Sequence, residues 1–512
     1  MRISDIEGIL AERELLERVE CPVTGKGERF AGENTEVKGI FLDSRKVVAG
    51  GVFVCLKGKR FDGHDHALEA SRNGAVAVIS ERVTPAPVMH MIVEEPRISM
   101  GFVASALFGN PADSLQMIAV TGTNGKTTTA FMLRSIINVS GGRSGILGTV
   151  IYDTGAGYEV EAQRTTPESP DIQAMLREML DNGCSHCVME TSSHGLFQGR
   201  LSGCRFEGAA FTNLTPEHLD FHGTMEEYFN SKLLLFRKYM RASGWIAVSN
   251  VSDPYGMRIK DLFPEQVVSF SLDRKDRPDY FAEIGSMGLS GIRMDIISRK
   301  KGRLFGLSLP LTGRFNALNA LGAAALSLSM GIAPEAVRRG LETMPQVPGR
   351  LQCFRFSNGM TAIIDYAHTP DALQNVLLSV REVCKNKVWV VFGSGGDRFK
   401  GNRPLMGKVA TALADHVVIT MDNPRSEDPS LIARDILAGV NAEIGSKSYP
   451  EVILDRREAI YSVLDRASDG DALIIAGKGP ERNIVFSDRI IPYSDEETVG
   501  EWSLKRGIEW SR

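Results

Sequence analysis

The run Thr121-Gly122-Thr123-Asn124-Gly125-Lys126-Thr127-Thr128-Thr129 constrains this chain more than any other stretch. Residues 116–120 before it read as a short apolar strand. Residues 127–140 after it read as a helix with Phe131, Ile136 and Ile137 on one side, stopped by Gly141-Gly142. A strand, a glycine-rich turn and a helix in that order place backbone N–H groups and the positive end of a helix at one point, which suits phosphate. Gly122, Asn124, Gly125, Lys126 and Thr127 are therefore the expected nucleoside-triphosphate contacts. Lys126 would neutralise the β- and γ-phosphates, and the Thr127 hydroxyl would face Mg²⁺. The usual phosphate loop has a glycine where this chain has Val120; an ordinary glycine turn is the competing explanation.

The strand–loop–helix pattern recurs. Ser169-Pro170 reads as the cap and first-turn proline of a helix with Ile172, Met175, Leu176 and Met179 facing inward, ended by Gly183. A strand ending at Glu190 follows, then the polar run SSHG, then GAAFTN opening into LTPEHLDFHG. Alternating strands and helices predict a parallel sheet with ligands beyond the carboxyl ends of its strands. Those ends carry Lys126, Glu190 and His218. Mg²⁺ prefers oxygen ligands, so Glu190 is the natural carboxylate, with His218 a ligand or an orienting group. Lys232 falls on the buried face of a helix capped by Thr224 and Glu227 and shared with Tyr228, Leu235 and Phe236; by itself it reads as a snorkelling lysine.

Two flanking regions differ in kind. The first hundred or so residues mix β-like runs, GIFLDSR and GVFVCL, with helical stretches, and a proline-rich passage interrupts them near residues 85–114. From about residue 340, TAIIDY, KVWVVFG, DHVVITM and DALIIAG read as four strands, each opening into a polar loop: AHTP, SGGDR, DNPRSEDP and KGPE. A second α/β domain with its own strand-end cluster is expected, the two clusters meeting in one active site.

At 512 residues the chain needs two to four domains. A hydrophobic fraction of 43% and a charged fraction of 24% are those of a globular protein, and a net charge of -4 argues against nucleic-acid or anionic-membrane partners. Seven scattered cysteines predict a reducing compartment, with Cys184 and Cys187 as small core residues. The charged N-terminal run is no signal peptide, and no apolar run approaches a membrane span. A cytoplasmic enzyme is the expectation.

Taken together, TGTNGKTTT, ETSSHGL, FTNLTPEHLDFHGTMEEYFNSK, GRFNALNA, VPGR and DYAHTP resemble the Mur ligase family, in the family's order and over essentially the whole chain. The resemblance implies an α/β, three-domain Mur ligase architecture: a UDP-MurNAc-binding domain over residues 1–113, a central P-loop ATPase-like parallel sheet over 114–344, and a Rossmann-like amino-acid-binding domain over 345–512. It also implies ATP-dependent amide-bond formation in cell-wall precursor synthesis, by a monomer. UDP-MurNAc-L-Ala-D-Glu would be the acyl substrate and meso-diaminopimelate the incoming amine.

Carried over residue by residue, Leu42 and Ser44 would contact the uridine nucleotide. Thr165, Thr166, Ser192, Gln198 and Arg200 would contact the muramoyl peptide. The whole run from Gly122 to Thr128, Thr123 and Thr128 included, would carry ATP, with Asn319, Arg350 and Asp365 completing the nucleotide site. Lys232 matches a lysine that the family carbamylates, giving with Thr127, Glu190 and His218 the expected metal set; Lys126, Lys232 and His218 are the expected catalytic residues. The amino-acid pocket would comprise Arg398, Asp422, Asn423, Pro424, Arg425, Gly477 and Glu481, Arg425 recognising the second carboxylate that lysine lacks. The family usually has histidine between Gly479 and Glu481, where this chain has Pro480. Rival readings are the same reaction with lysine, a folylpolyglutamate synthase, and a nucleotide-dependent switch without ligation. Asp365 and His368 are candidate bases for the amine's proton.

Overall fold

The computed structural model describes residues 1–21, 34–58, 61–440 and 449–511. These form two compact units: residues 1–269 with 326–332, and residues 270–325 with 333–512. The expected boundaries at 113/114 and 344/345 are not those at which these units divide.

The first unit holds two sheets. The N-terminal one has five strands in the order Leu16–Glu20, Met89–Val93, Ala75–Ser80, Gly51–Val54 and Gly39–Phe41, antiparallel only at the first pair. The proline-rich passage that interrupts the pattern near residues 85–114 contains regular elements of its own. Met89–Val93 is a wholly buried strand, and Pro96 opens the helix Pro96–Leu107 at a first-turn position, where no N–H is needed.

The second sheet of this unit carries the phosphate loop. β1 (Gln116–Thr121) leads into α1 (Lys126–Val139); α2 (Ser169–Asp181) precedes β2 (His186–Glu190), and β3 (Gly208–Phe211) follows. β1 lies between β2 and β3, parallel to both, so the chain leaves three neighbouring strands at one edge. Ile172, Leu176 and Met179 of α2 are fully buried beneath them and Met175 is half-buried. The helix begins one residue earlier than expected: Glu168 is its cap and Ser169 its first residue. Cys187 lies in β2 and Cys184 just before it, both buried and unpaired, as core residues should be. α3 (Met225–Leu234) has the expected Thr224–Glu227 capping box and runs into a π-turn over Leu235–Tyr239.

The second unit contains an element the alternating pattern did not announce, an antiparallel meander of Tyr280–Gly288, Gly291–Ser298 and Gly302–Leu309. All four strands expected beyond residue 340 form. β4 (Thr361–Asp365), β5 (Val388–Phe392), β6 (His416–Ile419) and β7 (Ala472–Ala476) are parallel in the spatial order β6-β5-β7-β4, nearly all buried. Continuous apolar runs of Val, Ile and Ala are what a sheet covered on both faces requires. Among the described residues no helix is long and apolar enough to cross a membrane.

Candidate active site: two clusters at strand ends

In the first unit the phosphate loop is shaped by close approach. Gly122 has φ 146°, and a Cβ there would fall 1.9 Å from the Thr212 hydroxyl. Gly125, at φ 85°, turns the chain into α1. Val120 is explained by the strand: fully buried and paired with Glu190 on one side and Ala210 on the other, it belongs to β1, and the loop opens only at Gly122. The Lys126 ammonium folds back onto the Gly122 and Thr123 carbonyls at 3.0 and 2.7 Å, and the Thr212 hydroxyl donates to the Asn124 carbonyl.

Glu190 is wholly buried at the end of β2. Its carboxylate accepts from the Thr127 hydroxyl at 3.1 Å and from the backbone N–H and hydroxyl of Thr149, both at 2.9 Å. A hydroxyl and a carboxylate meeting beside the phosphate loop are the hard oxygen donors Mg²⁺ takes, so the residues fit that ion. His218 is an exposed residue in a left-handed conformation, φ 56°, with Nε2 3.7 Å from Glu217. It packs edge-on to His194 at 4.8 Å, and His222 bonds the Ser193 hydroxyl at 3.0 Å. Desolvation by the surrounding protein holds all three imidazoles below their ordinary range, His194 to about 4; His218 lowers His194 and His222 further, and Lys126 and Lys232 lower His218. Neutral rings beside a cationic loop keep a lone pair for a metal or a proton.

Lys232 overturns the snorkelling reading. It is 1% exposed, and its amine lies 2.8 Å from the Gly122 carbonyl and 4.7 Å over the Tyr228 ring. Burial first, and then the charge of Lys126, drive its pKa well below that of an ordinary lysine. Tyr228, whose hydroxyl lies 3.1 Å from that of Thr123, closes this side of the loop.

The candidate muramoyl-peptide contacts gather next to Glu190. The Thr166 hydroxyl donates to the Glu190 carbonyl and receives the Ser192 N–H, and the Thr165 and Thr149 hydroxyls are 3.1 Å apart. Arg200 reaches the Thr166 carbonyl at 2.8 Å and Gln198 at 2.7 Å. Around Glu168 stand three guanidinium groups, Arg97, Arg164 and Arg200. In the N-terminal part, Leu42 packs on the core and buried Ser44 donates to Glu69 at 2.6 Å.

In the second unit, Asn319 is buried on the helix Arg314–Ser329 and donates to Asn316. Arg350 lies 5.0 Å over the Tyr366 ring. Asp365, at the end of β4, accepts the Leu351 and Ala367 N–H groups, and burial outweighs Arg350 and these bonds to raise its pKa. His368 is exposed and bonds the Tyr366 carbonyl.

The amino-acid candidates meet where the loops after β6 and β7 cross. Asp422, Asn423 and Pro424 are buried; Arg425 sits in a left-handed conformation, φ 52°, its guanidinium on the Gly396 carbonyl. Asn423 donates to Glu481 at 2.7 Å, and a Cβ on Gly477 would meet Asp422 at 2.7 Å. Arg398 is exposed nearby, its Cγ 3.6 Å from where a Gly395 side chain would begin. Pro480 packs on Gly349: a Cβ there would lie 2.4 Å from the proline ring. Sequence reasoning missed Thr149, which clamps Glu190, and Lys478, whose only signal was its place between two chosen residues.

The Mur ligase middle domain matches residues 120–327, the Mur ligase glutamate ligase domain 349–479, and the Mur ligase family catalytic domain 36–100. The chain belongs to the Mur ligase family, a class of ligases. Within it, the chain is 40% identical to a UDP-N-acetylmuramoyl-L-alanyl-D-glutamate–2,6-diaminopimelate ligase of Geobacillus kaustophilus, over 93% of this chain and 96% of the relative. A solved structure of a protein with the same enzyme name is 33% identical, with a TM-score of 0.66 over 94% of this chain and 97% of that one. A MurF ligase from Thermotoga maritima in complex with ADP shares the fold, at 22% identity and a TM-score of 0.58 over 86% of this chain and 94% of that one.

Proposed function

We propose that this chain joins the far carboxylate of the D-glutamyl residue in UDP-MurNAc-L-Ala-D-Glu to an amine of meso-diaminopimelate, with ATP cleaved to ADP and phosphate. The glutamyl γ-carboxylate attacks the γ-phosphorus of ATP, ADP leaves, and an acyl phosphate forms. The amine then attacks the acyl carbon, loses a proton, and phosphate departs. Phosphorylation is needed because a bare carboxylate offers only oxide as a leaving group.

Gly122 to Thr128 would cradle the triphosphate, with Lys126 turning from its loop carbonyls to the β- and γ-phosphates. Catalysis here is mainly position and charge. Mg²⁺, held by Thr127, Glu190 and His218, would neutralise charge on the phosphates. Lys232, its amine driven towards the neutral form by burial, is suited to add CO₂ at Nζ with loss of a proton, and the resulting carbamate would replace a cation with an anionic oxygen donor. Thr165, Thr166, Ser192, Gln198 and Arg200 would hold the peptide, and Leu42 and Ser44 the uridine end. Asn319, Arg350 and Asp365 would serve the nucleotide. The three-domain division at 113/114 and 344/345, a monomeric state and a cytoplasmic setting belong to the same proposal.

The acceptor reading is carried by one observation: Asn423, in the run Asp422-Asn423-Pro424-Arg425, is bonded to Glu481. A cation and a carboxylate are thereby offered from two joined loops, the complement of an amino-acid head bearing both charges. Purified protein with ATP, Mg²⁺ and the UDP-muramoyl dipeptide should release ADP with meso-diaminopimelate and far less with lysine. Equal turnover of the two amines would remove the assignment of the acceptor, and ADP release without a covalent peptide product would favour the switch.

A further inference from the structure

Lys478 stands outside every role assigned above, yet no charged side chain of the second cluster is more deeply buried: it is 0% exposed. Its ammonium donates to Asn423 Oδ1 and to Glu481 Oε2, both at 3.0 Å, with Asp422 Oδ1 3.6 Å away. Asn423 Oδ1 also receives the Val485 N–H at 3.0 Å. Both lone pairs of that oxygen are used, so the amide cannot flip, and its Nδ2 must point at Glu481 Oε2, 2.7 Å away. Glu481 Oε2 is thus held by two donors. Among the described residues its other oxygen has only a long contact, 3.4 Å, with the Tyr366 hydroxyl, and the side chain is 31% exposed. The Glu481 N–H closes back on the Lys478 carbonyl across Gly479-Pro480.

Burying an ammonium among carboxylates is poor value as stabilisation, since apolar replacements of such pairs are often neutral or better. What the arrangement supplies is a carboxylate with one oxygen locked and one left for a ligand. We propose that Lys478 is a positioning residue which fixes Glu481 as the acceptor of the far ammonium of diaminopimelate. This rests on the proposed function. With Arg425 on the far carboxylate, two of the three groups at the far stereocentre are then held at fixed points, and a stereocentre is discriminated only when its partners cannot move to follow the inverted isomer.

The test compares meso- and LL-diaminopimelate in steady-state ligation by the full chain. Lys478→Met should lower kcat/KM for the meso isomer by about a hundredfold and leave KM for ATP unchanged. The meso-to-LL ratio should fall by about tenfold or more, because a partner free to move follows either isomer. Glu481→Gln should act alike, and the double variant should cost little more than either single change, because both remove one interaction. An unchanged isomer ratio, or losses that multiply in the double variant, would overturn the role and leave Lys478 a structural residue. If Lys478→Met does not fold, Lys478→Gln keeps a donor for Asn423 and removes the charge; wild-type selectivity in that variant would equally overturn it. Failure of the unaltered protein to use diaminopimelate at all would instead sink the functional reading beneath it.

Discussion

Lys232 and Lys478 are both about as buried as a lysine can be, and they are treated oppositely. Lys232 faces a carbonyl and an aromatic ring, with Lys126 near enough to repel it and Glu217 the carboxylate that pulls against this. Lys478 faces Glu481 and Asp422. An amine without a bonded carboxylate is pushed towards its neutral, nucleophilic form; an ammonium between carboxylates becomes a fixed point on which other side chains are set. The difference separates the two clusters. The first is built of hydroxyls, carbonyls and neutral rings around a place for phosphate and metal. The second is built of paired charges matching a zwitterion.

The contrast breaks most readily at the phosphate loop. Lys126→Ala should reduce ADP release by at least about a thousandfold with an unchanged circular-dichroism spectrum, since it removes the charge that balances phosphoryl transfer. Near-normal turnover would disconnect the first cluster from ATP. Lys232→Ala should cost about as much if its carbamate serves the metal. A short-chain carboxylic acid should restore part of that activity, and intact-mass spectrometry of the unaltered protein in bicarbonate should show added CO₂; neither signal would be expected of a lysine that merely packs. In the second cluster Arg425→Ala should raise KM for diaminopimelate by about a hundredfold while leaving KM for ATP near its starting value. Parallel losses for both substrates would erase the distinction between the clusters.

The smallest effect concerns acid. His194 is held near pKa 4 by burial, then by His218 and His222, against 6.5 for a free imidazole. The unfolded chain therefore takes up a proton below about pH 6.5 that the folded chain refuses until about pH 4. The stability this represents is complete above about 6.5 and is lost as pH falls towards 4. Melting temperature should decline over that window, and His194→Gln should flatten the decline by on the order of a few degrees. An unaltered slope would mean that the imidazole cluster does not resist protonation.

Much of this was legible beforehand because it follows from local rules. The strand–loop–helix around Gly122, the capping box at Thr224 and Glu227, and the four apolar strands of the second unit are set by spacing, glycine and proline. The meander over residues 280–309 was not read, since the alternating strand–helix pattern on either side gave no cue to its hairpins. The strand Met89–Val93 and the helix opened by Pro96 were hidden within the proline-rich passage, because composition alone does not place a first-turn proline.

The chain alone settled which residue types stand at the strand ends, since that depends on neighbours a few positions apart. It could not settle which lysine is bare and which is paired. Lys232 meets Gly122 across 110 positions and Lys478 meets Asn423 across 55, so their environments exist only once the sheets have formed. Burial and partner charge, which decide whether an amine reacts or positions, belong to the folded state.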